Sequence, residues 1–276
     1  MPRFIVVSLL TFCAVCASAQ SLPSSDPYAI SLAQQSVAAL TGGAPINDAT
    51  LSGSATWIAG SDKETGTVTL STKGTTESRM DLNLSASTRT EIRNDTVGYP
   101  QGASILNGGN QRPWALHNCW INASWFFAAL SALVQSADPD QIFLYVGLEK
   151  RNGLSVRHLK TYHYTPAKRP EITALNQMLS TMDIYLDSTS LLPLAFTFNT
   201  HADDDSATNI AMEVDFSNYQ PVEGILVPFR VQKLIWNGLA LDITLTSANF
   251  NAGVPDTGRN TGRLTGGQAH LLLNSW

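Results

Sequence analysis

From residue 182 to residue 250 apolar and polar side chains alternate through short runs separated by turn residues. In residues 208–216 the apolar positions are Ile210, Met212, Val214 and Phe216, with Asn209, Ala211, Glu213 and Asp215 between them. In residues 239–245 they are Leu239, Leu241, Ile243 and Leu245. A period of two puts each set on one face, so the pattern predicts antiparallel sheet with one buried and one wet side. Residues 225–236 alternate as Ile225, Val227, Phe229 and Val231, then switch to Leu234 and Trp236. That switch predicts a bulge near Gln232-Lys233, which bends the strand. Pro228 falls on the outer set, where proline needs an edge or a bulge, and Asn237-Gly238 has hairpin-turn chemistry.

Upstream, Asp26-Pro27 followed by Ala29, Leu32, Ala33, Val37 and Leu40 reads as an amphipathic helix, capped by Asp26, begun by Pro27 and stopped by Gly42-Gly43. Residues 51–59, 65–73, 76–84 and 88–93 are Thr- and Ser-rich strand candidates with thin apolar content, one side of which must face water. Residues 94–113 carry no usable periodicity and read as a polar loop. Residues 141–150 and 154–165 flank Arg151-Asn152-Gly153, a hairpin signal. A short helix opens at Pro170-Glu171 and runs to residue 182.

Residues 114–135 are the richest apolar segment after the N-terminal run. The spacing predicts a helix, with Asn118 or Asn122 capping it, Ala128, Ala129 and Ala132 favouring it, and Asp138-Pro139 ending it. Its aromatics admit two readings. They are ordinary core under the sheet, or Trp120, Trp125, Phe126 and Phe127 line an apolar cavity, because a helix apolar on nearly all sides needs partners on nearly all sides.

The order of motifs in residues 183–251 resembles a known family. Asp183-Ile184-Tyr185-Leu186-Asp187 and Leu192-Pro193-Leu194 are followed by a strand ending at Phe216 and Asn218-Tyr219, the Gly224-Ile225-Leu226-Val227-Pro228 start of the next strand, a tight hairpin, and a last strand closing at Asn249 and Asn251. This combination is similar to the C-terminal half of the outer-membrane lipoprotein carrier (LolA-like, LolB-like) superfamily. The resemblance implies an α+β fold: a single strongly curved antiparallel sheet, an incomplete β-barrel, with helices covering a concave face that holds acyl chains. It makes Trp120, Trp125, Phe126, Phe127, Met212, Val214, Phe229 and Ile243 candidate lipid-binding residues of that cavity. It also implies partners in the inner- and outer-membrane lipoprotein machinery. The arginine that latches the lid helices in such proteins has no motif-defined position here.

The N-terminus points to the same compartment. Met1-Pro2-Arg3 is a positive start, residues 4–15 are apolar, and Ala17-Ser18-Ala19 before Gln20 fits a small-x-small cleavage site. The organisation expected is therefore a signal peptide over residues 1–19, a LolA-like half-barrel over 20–252, and a Gly- and Thr-rich flexible tail over 253–276, in a protein of the periplasm. Cys13 and Cys16 lack the small preceding residue of a lipidation site. Cleavage leaves Cys119 alone, so the core must hold the fold without a disulfide.

The net charge is −5, with 17 basic and 22 acidic residues, and the basic ones are scattered. Binding to nucleic acid works through clustered Lys and Arg, so nucleic acid is not an expected partner. Catalytic motifs are missing: the sequence holds no Gly-x-Ser-x-Gly elbow, no His-Glu-x-x-His pair and no Gly-rich phosphate loop. His201 with Asp203, Asp204 and Asp205 lacks the spaced ligands of a calcium loop and reads as a solvated hairpin tip. Cys119 has no assignable base and reads as a small buried hydrophobe. The expectation is a non-enzymatic acyl-chain carrier without cofactor or metal. Its alternative is a non-catalytic envelope scaffold or assembly protein with the same fold and a filled core.

Overall fold

The computed structural model describes residues 22–94 and 100–254. The N-terminal apolar run and nearly all of the 253–276 tail lie outside the described residues.

Helix α1 (Pro27–Thr41) starts and stops as its sequence dictates. The Asp26 side chain accepts from the Tyr28 amide at 2.8 Å, Pro27 occupies the first turn, and Gly42 takes φ 59° while its amide donates to Ala38. Its inward stripe, Ala29, Leu32, Ala33 and Leu40, is buried. A second helix, α2 (Pro170–Ser180), matches the helix expected there.

The strands are β1 (Asp48–Ala59), β2 (Asp62–Lys73), β3 (Glu77–Leu84), β4 (Thr88–Asn94), β5 (Gln101–Leu106), β6 (Arg112–Pro113), β7 (Gln141–Arg151), β8 (Leu154–His163), β9 (Met182–Asp187), β10 (Pro193–Ala202), β11 (Asp205–Val222), β12 (Ile225–Ile235) and β13 (Gly238–Phe250). They form one 13-stranded antiparallel sheet in the order β6-β5-β4-β3-β2-β1-β13-β12-β11-β10-β9-β8-β7. It is the incomplete barrel that the alternation and the resemblance lead one to expect. Two meanders, β1 to β6 and β7 to β13, join through the β1–β13 pair, where Ala49 faces Phe250. The β7–β8 turn has Asn152 at φ 50° and Gly153 at φ 82°, the backbone that an Asn-Gly hairpin requires. Among the described residues no helix is long and apolar enough to cross a membrane.

The inward set holds. Met212, Val214, Phe216, Leu241, Ile243 and Leu245 are buried in one core, and Ile210 packs against it. Glu213 and Asp242 face the other way, paired with Arg151 at 2.5 Å and Arg230 at 2.9 Å.

Several expectations are corrected. Residues 94–113 are not loop throughout, since they contain β5 and β6. In β5 Gly102 lies under the Trp114 ring, where an added Cβ would fall 2.5 Å from a ring atom, so that position carries no apolar side chain of its own. The bulge expected in β12 lies in the same rung but on the facing strand: Lys233 pairs with Leu241 and Leu234 with Leu239, which leaves Ala240 as the extra residue. Leu239 thus leaves the inward set, half-buried and outside the core cluster. Trp236 is not inward either. The turn closes one residue early, on Trp236-Asn237, and leaves Trp236 63% exposed. Pro228 sits past the last β12–β13 pair, Arg230 with Thr244, where no ladder bond to β13 is lost.

The largest correction concerns residues 114–135, which form no continuous α-helix. They run as irregular chain with 3-10 turns at Leu116–Asn118, Ala128–Leu130 and Ala132–Ala137. Asn and Ser side chains compete with helical hydrogen bonding, and here Asn122 accepts from the Ser124 amide at 2.9 Å while Ser131 accepts from that of Leu133.

Candidate functional site

The concave face of the sheet is apolar, and it is occupied. Residues 114–137 leave the β6 edge and reach the β7 edge, placing Trp125, Phe126, Phe127, Leu130 and Leu133 in the core. Phe126, Phe127 and Leu133 are among the largest fully buried side chains. Phe127 stacks on Phe250 with ring centroids 5.9 Å apart, and Trp125 meets Phe126 edge-on at 5.6 Å. Lys233, inward because β12 keeps its alternation from Val231, holds its ammonium 4.7 Å from the centroid of Trp125.

Side-chain hydrogen bonds fasten this internal segment around its rim. Ser78 Oγ donates to the Ala123 carbonyl at 2.7 Å, Ser124 Oγ donates to the Gly74 carbonyl at 3.1 Å, and the Thr72 and Ser124 hydroxyls are bonded to each other. Asn118 completes the end of β10, donating to the His201 carbonyl and accepting from the His201 amide, both at 2.8 Å. Arg93, buried on β4, donates to the carbonyls of Cys119 and Ile121. It is the residue that sequence reasoning missed. Ile92 and Arg93 are both buried, which breaks the alternation of the strand, and the distant carbonyls, with the Trp114 ring 5.6 Å from the guanidinium, explain why.

A cavity of about 330 Å³ lies where the two ends of the sheet approach each other. Arg93 and Gln101 line it from one end, Gln141, Thr161 and His163 from the other, and Trp120, Ile121 and Asn122 from the internal segment. Gln141 is fixed by donating to Thr161 Oγ1 at 2.6 Å. Of the eight lipid-binding candidates, Trp120 lines this cavity. Trp125, Phe126, Phe127, Met212, Val214 and Ile243 are buried in the core, and Phe229 is half-buried against it.

The convex face of β7 to β11 is polar and closely packed. Arg151 stands 4.3 Å over the Tyr185 ring while it pairs with Glu213, and His158 lies 2.8 Å from Asp183 and stacks on Tyr185. Burial, then the neighbouring Glu213 carboxylate, pushes Asp215 up to about 7, against the Arg151 charge. In β11 the Tyr219 hydroxyl donates to the Pro193 carbonyl at 2.7 Å, and burial pushes the phenol above the usual tyrosine range.

Cys119, beside the cavity, is not an activated thiol. Burial pushes the Cys119 thiol up, against the pull of Arg93, whereas a reactive thiol needs the opposite shift. Asp205 accepts from the Ala207 and Thr208 amides within its own turn, and His201 from β10 meets Asn209. Among the described residues no three His, Cys, Asp or Glu side chains group as a metal site.

No family model matches the sequence, and no curated protein matches it. Among solved structures, an outer membrane lipoprotein-sorting protein domain from Vibrio parahaemolyticus aligns with a TM-score of 0.54 and 14% identity, over 84% of this chain and 96% of that one. The fold is LolA-like. A DUF1329 family protein from Desulfovibrio piger aligns at a TM-score of 0.51 and 13% identity, over 86% and 96% of the two chains. A LolA superfamily protein from Nitrosomonas europaea aligns at 0.48 and 10%, over 83% and 95%. At such identities the LolA-like likeness is one of backbone architecture, and the side chains on the concave face are this chain's own.

Proposed function

We propose that this protein is an exported periplasmic carrier that binds lipid or lipoprotein acyl chains without a covalent step. The observation that carries this reading is the internal segment. The sheet presents a concave apolar face whose occupant is irregular chain, fastened at its rim by side chains rather than by strand pairing. An acyl chain entering that face gains roughly 0.8 kcal/mol per CH₂ it buries, set against the burial lost by whatever side chains it displaces. The seam cavity beside Trp120 is the opening for such an exchange. The name of the Vibrio relative, a lipoprotein-sorting protein domain, supports the same reading, with donor and acceptor partners in the inner- and outer-membrane lipoprotein machinery.

The complete burial of Phe126, Phe127 and Leu133 favours a second reading, an envelope scaffold with a permanently filled core. Titration with a fluorescent fatty acid separates the two. The carrier takes it up at micromolar protein, and Trp120→Glu, at a half-buried cavity position, abolishes uptake while circular dichroism stays unchanged. A folded, lipid-free wild type that takes up nothing favours the scaffold. Export itself is tested by N-terminal sequencing of periplasmic protein, which on this proposal begins at Gln20.

A further inference from the structure

The β12–β13 hairpin carries at its tip an aromatic side chain that the neighbouring turns lack, although Leu106 beside Asn107-Gly108 is also exposed, at 45%. At the same end of the sheet the turns are built from Gly60-Ser61, Ser85-Ala86-Ser87, Asn107-Gly108 and Asp203-Asp204. The β12–β13 turn is instead Ile235-Trp236-Asn237-Gly238, with Leu234 paired to Leu239 beneath it. Ile235 is 38% exposed and Trp236 63%. Trp236 also holds φ 52°, and Asn237 φ 63°. Asn and Gly adopt that left-handed backbone readily, whereas a bulky side chain is penalised there. A large indole is thus kept in water and in an unfavourable backbone region at once, and packing within the described fold does not account for it.

We propose that the Ile235-Trp236 tip is a membrane-contact site that seats in the interfacial layer of a lipid bilayer. Tryptophan suits that layer, with an apolar body and one N–H to leave at the headgroups. Part of the tip's backbone is satisfied within the sheet: the Trp236 amide donates to the Ala211 carbonyl at 3.0 Å, and Ile235 pairs with Gly238. The β10–β11 hairpin runs further along the sheet but is drawn onto the internal segment, where the Ala202 carbonyl meets His117 Nε2 and His201 meets Asn118. The neighbouring turns contribute Asp62, Asp203 and Asp204 against Lys63, an acidic balance, so contact rests on apolar insertion rather than attraction to anionic lipid. This site is separate from the concave face, and its test does not depend on acyl uptake.

The test uses protein recovered from the periplasm of expressing cells and vesicles of zwitterionic phosphatidylcholine, with wild type and Trp236→Asn carrying the same N-terminus. In co-sedimentation the variant partitions about tenfold less, the order expected for losing one inserted indole. Its melting temperature is equal or higher, because Asn tolerates the turn. Phosphatidylcholine brominated in its chains quenches wild-type fluorescence and spares the variant. Ile235→Ser weakens binding in the same direction, and adding anionic lipid does not strengthen it. Absence of wild-type binding, or equal binding by both proteins, overturns the proposal. So does a variant that changes only the mass seen in sedimentation velocity, which would make the tip a contact with a second copy.

Discussion

The guanidinium of Arg93, on β4, donates to the main-chain carbonyl of Ile121 at 2.7 Å, joining a strand near one end of the sheet to the segment that fills its hollow. The same side chain serves the Cys119 carbonyl, so a single residue holds two consecutive stretches of irregular backbone. Arg93→Ala strands both buried carbonyls and should cost about 2 to 4 kcal/mol. Urea denaturation reads the loss. If the segment is a displaceable occupant, the same variant takes up fatty acid faster than wild type, which stopped-flow fluorescence measures.

Phe127 is fully buried and stacked on Phe250. Phe127→Ala should destabilise the fold by about 3 to 5 kcal/mol, the usual cost of emptying an aromatic core site. A loss below about 1 kcal/mol in chemical denaturation would mean that the segment is already loose in the native state.

Asp215 gives stability a pH dependence of unusual sign. Its carboxyl is raised from 3.8 to about 7 by burial and Glu213, so between those values the folded protein binds more protons than the unfolded chain. This contribution is present in full below pH ~4 and is lost as pH rises through ~7. Thermal melts across that window should show Asp215→Asn removing a downward slope with rising pH. A variant that keeps the wild-type profile would place the titration elsewhere.

Gly53 lies at the register shift between β1 and β13, where an added Cβ would fall 2.1 Å from the Thr244 carbonyl oxygen. Gly53→Ala must push the two meanders apart at their only junction in the described sheet. A cost of about 1 to 3 kcal/mol is expected, and amide exchange should rise in β1 and β13 ahead of the other strands.

What could be read from the sequence was local. Alternation through Met212, Val214, Leu241 and Ile243 fixes which face is inward, and Asp26, Pro27 and Gly42 mark both ends of α1 through bonds made within a few residues. The rest depends on partners far away in the chain. β5 looks like loop because Gly102 is covered by Trp114 instead of carrying its own apolar side chain. Residues 114–135 look helical until Asn118 and the Ser124 hydroxyl are seen bonded to β10 and to the Gly74 carbonyl. Arg93 has no signature, because its need for burial comes from carbonyls beyond the next two strands. Trp236 was misplaced by a bulge that the partner strand carries at Ala240.

The pairing of Ala49 with Phe250 has a consequence for how the chain is made. A polypeptide synthesised N-terminus first completes β1 to β6 while β13 does not yet exist, and the free edge of β1 must wait. Unpaired edges are templates for association with other chains, and contacts between distant parts of a sequence form slowly. The outward positions of β1, including Thr50, Ser52, Ser54 and Thr56, make that waiting edge hydrophilic on one side. Joining β13 to β1 is then the last step of assembly, and a chain halted before β13 begins at Gly238 is left with two half-sheets and no strand to pair them.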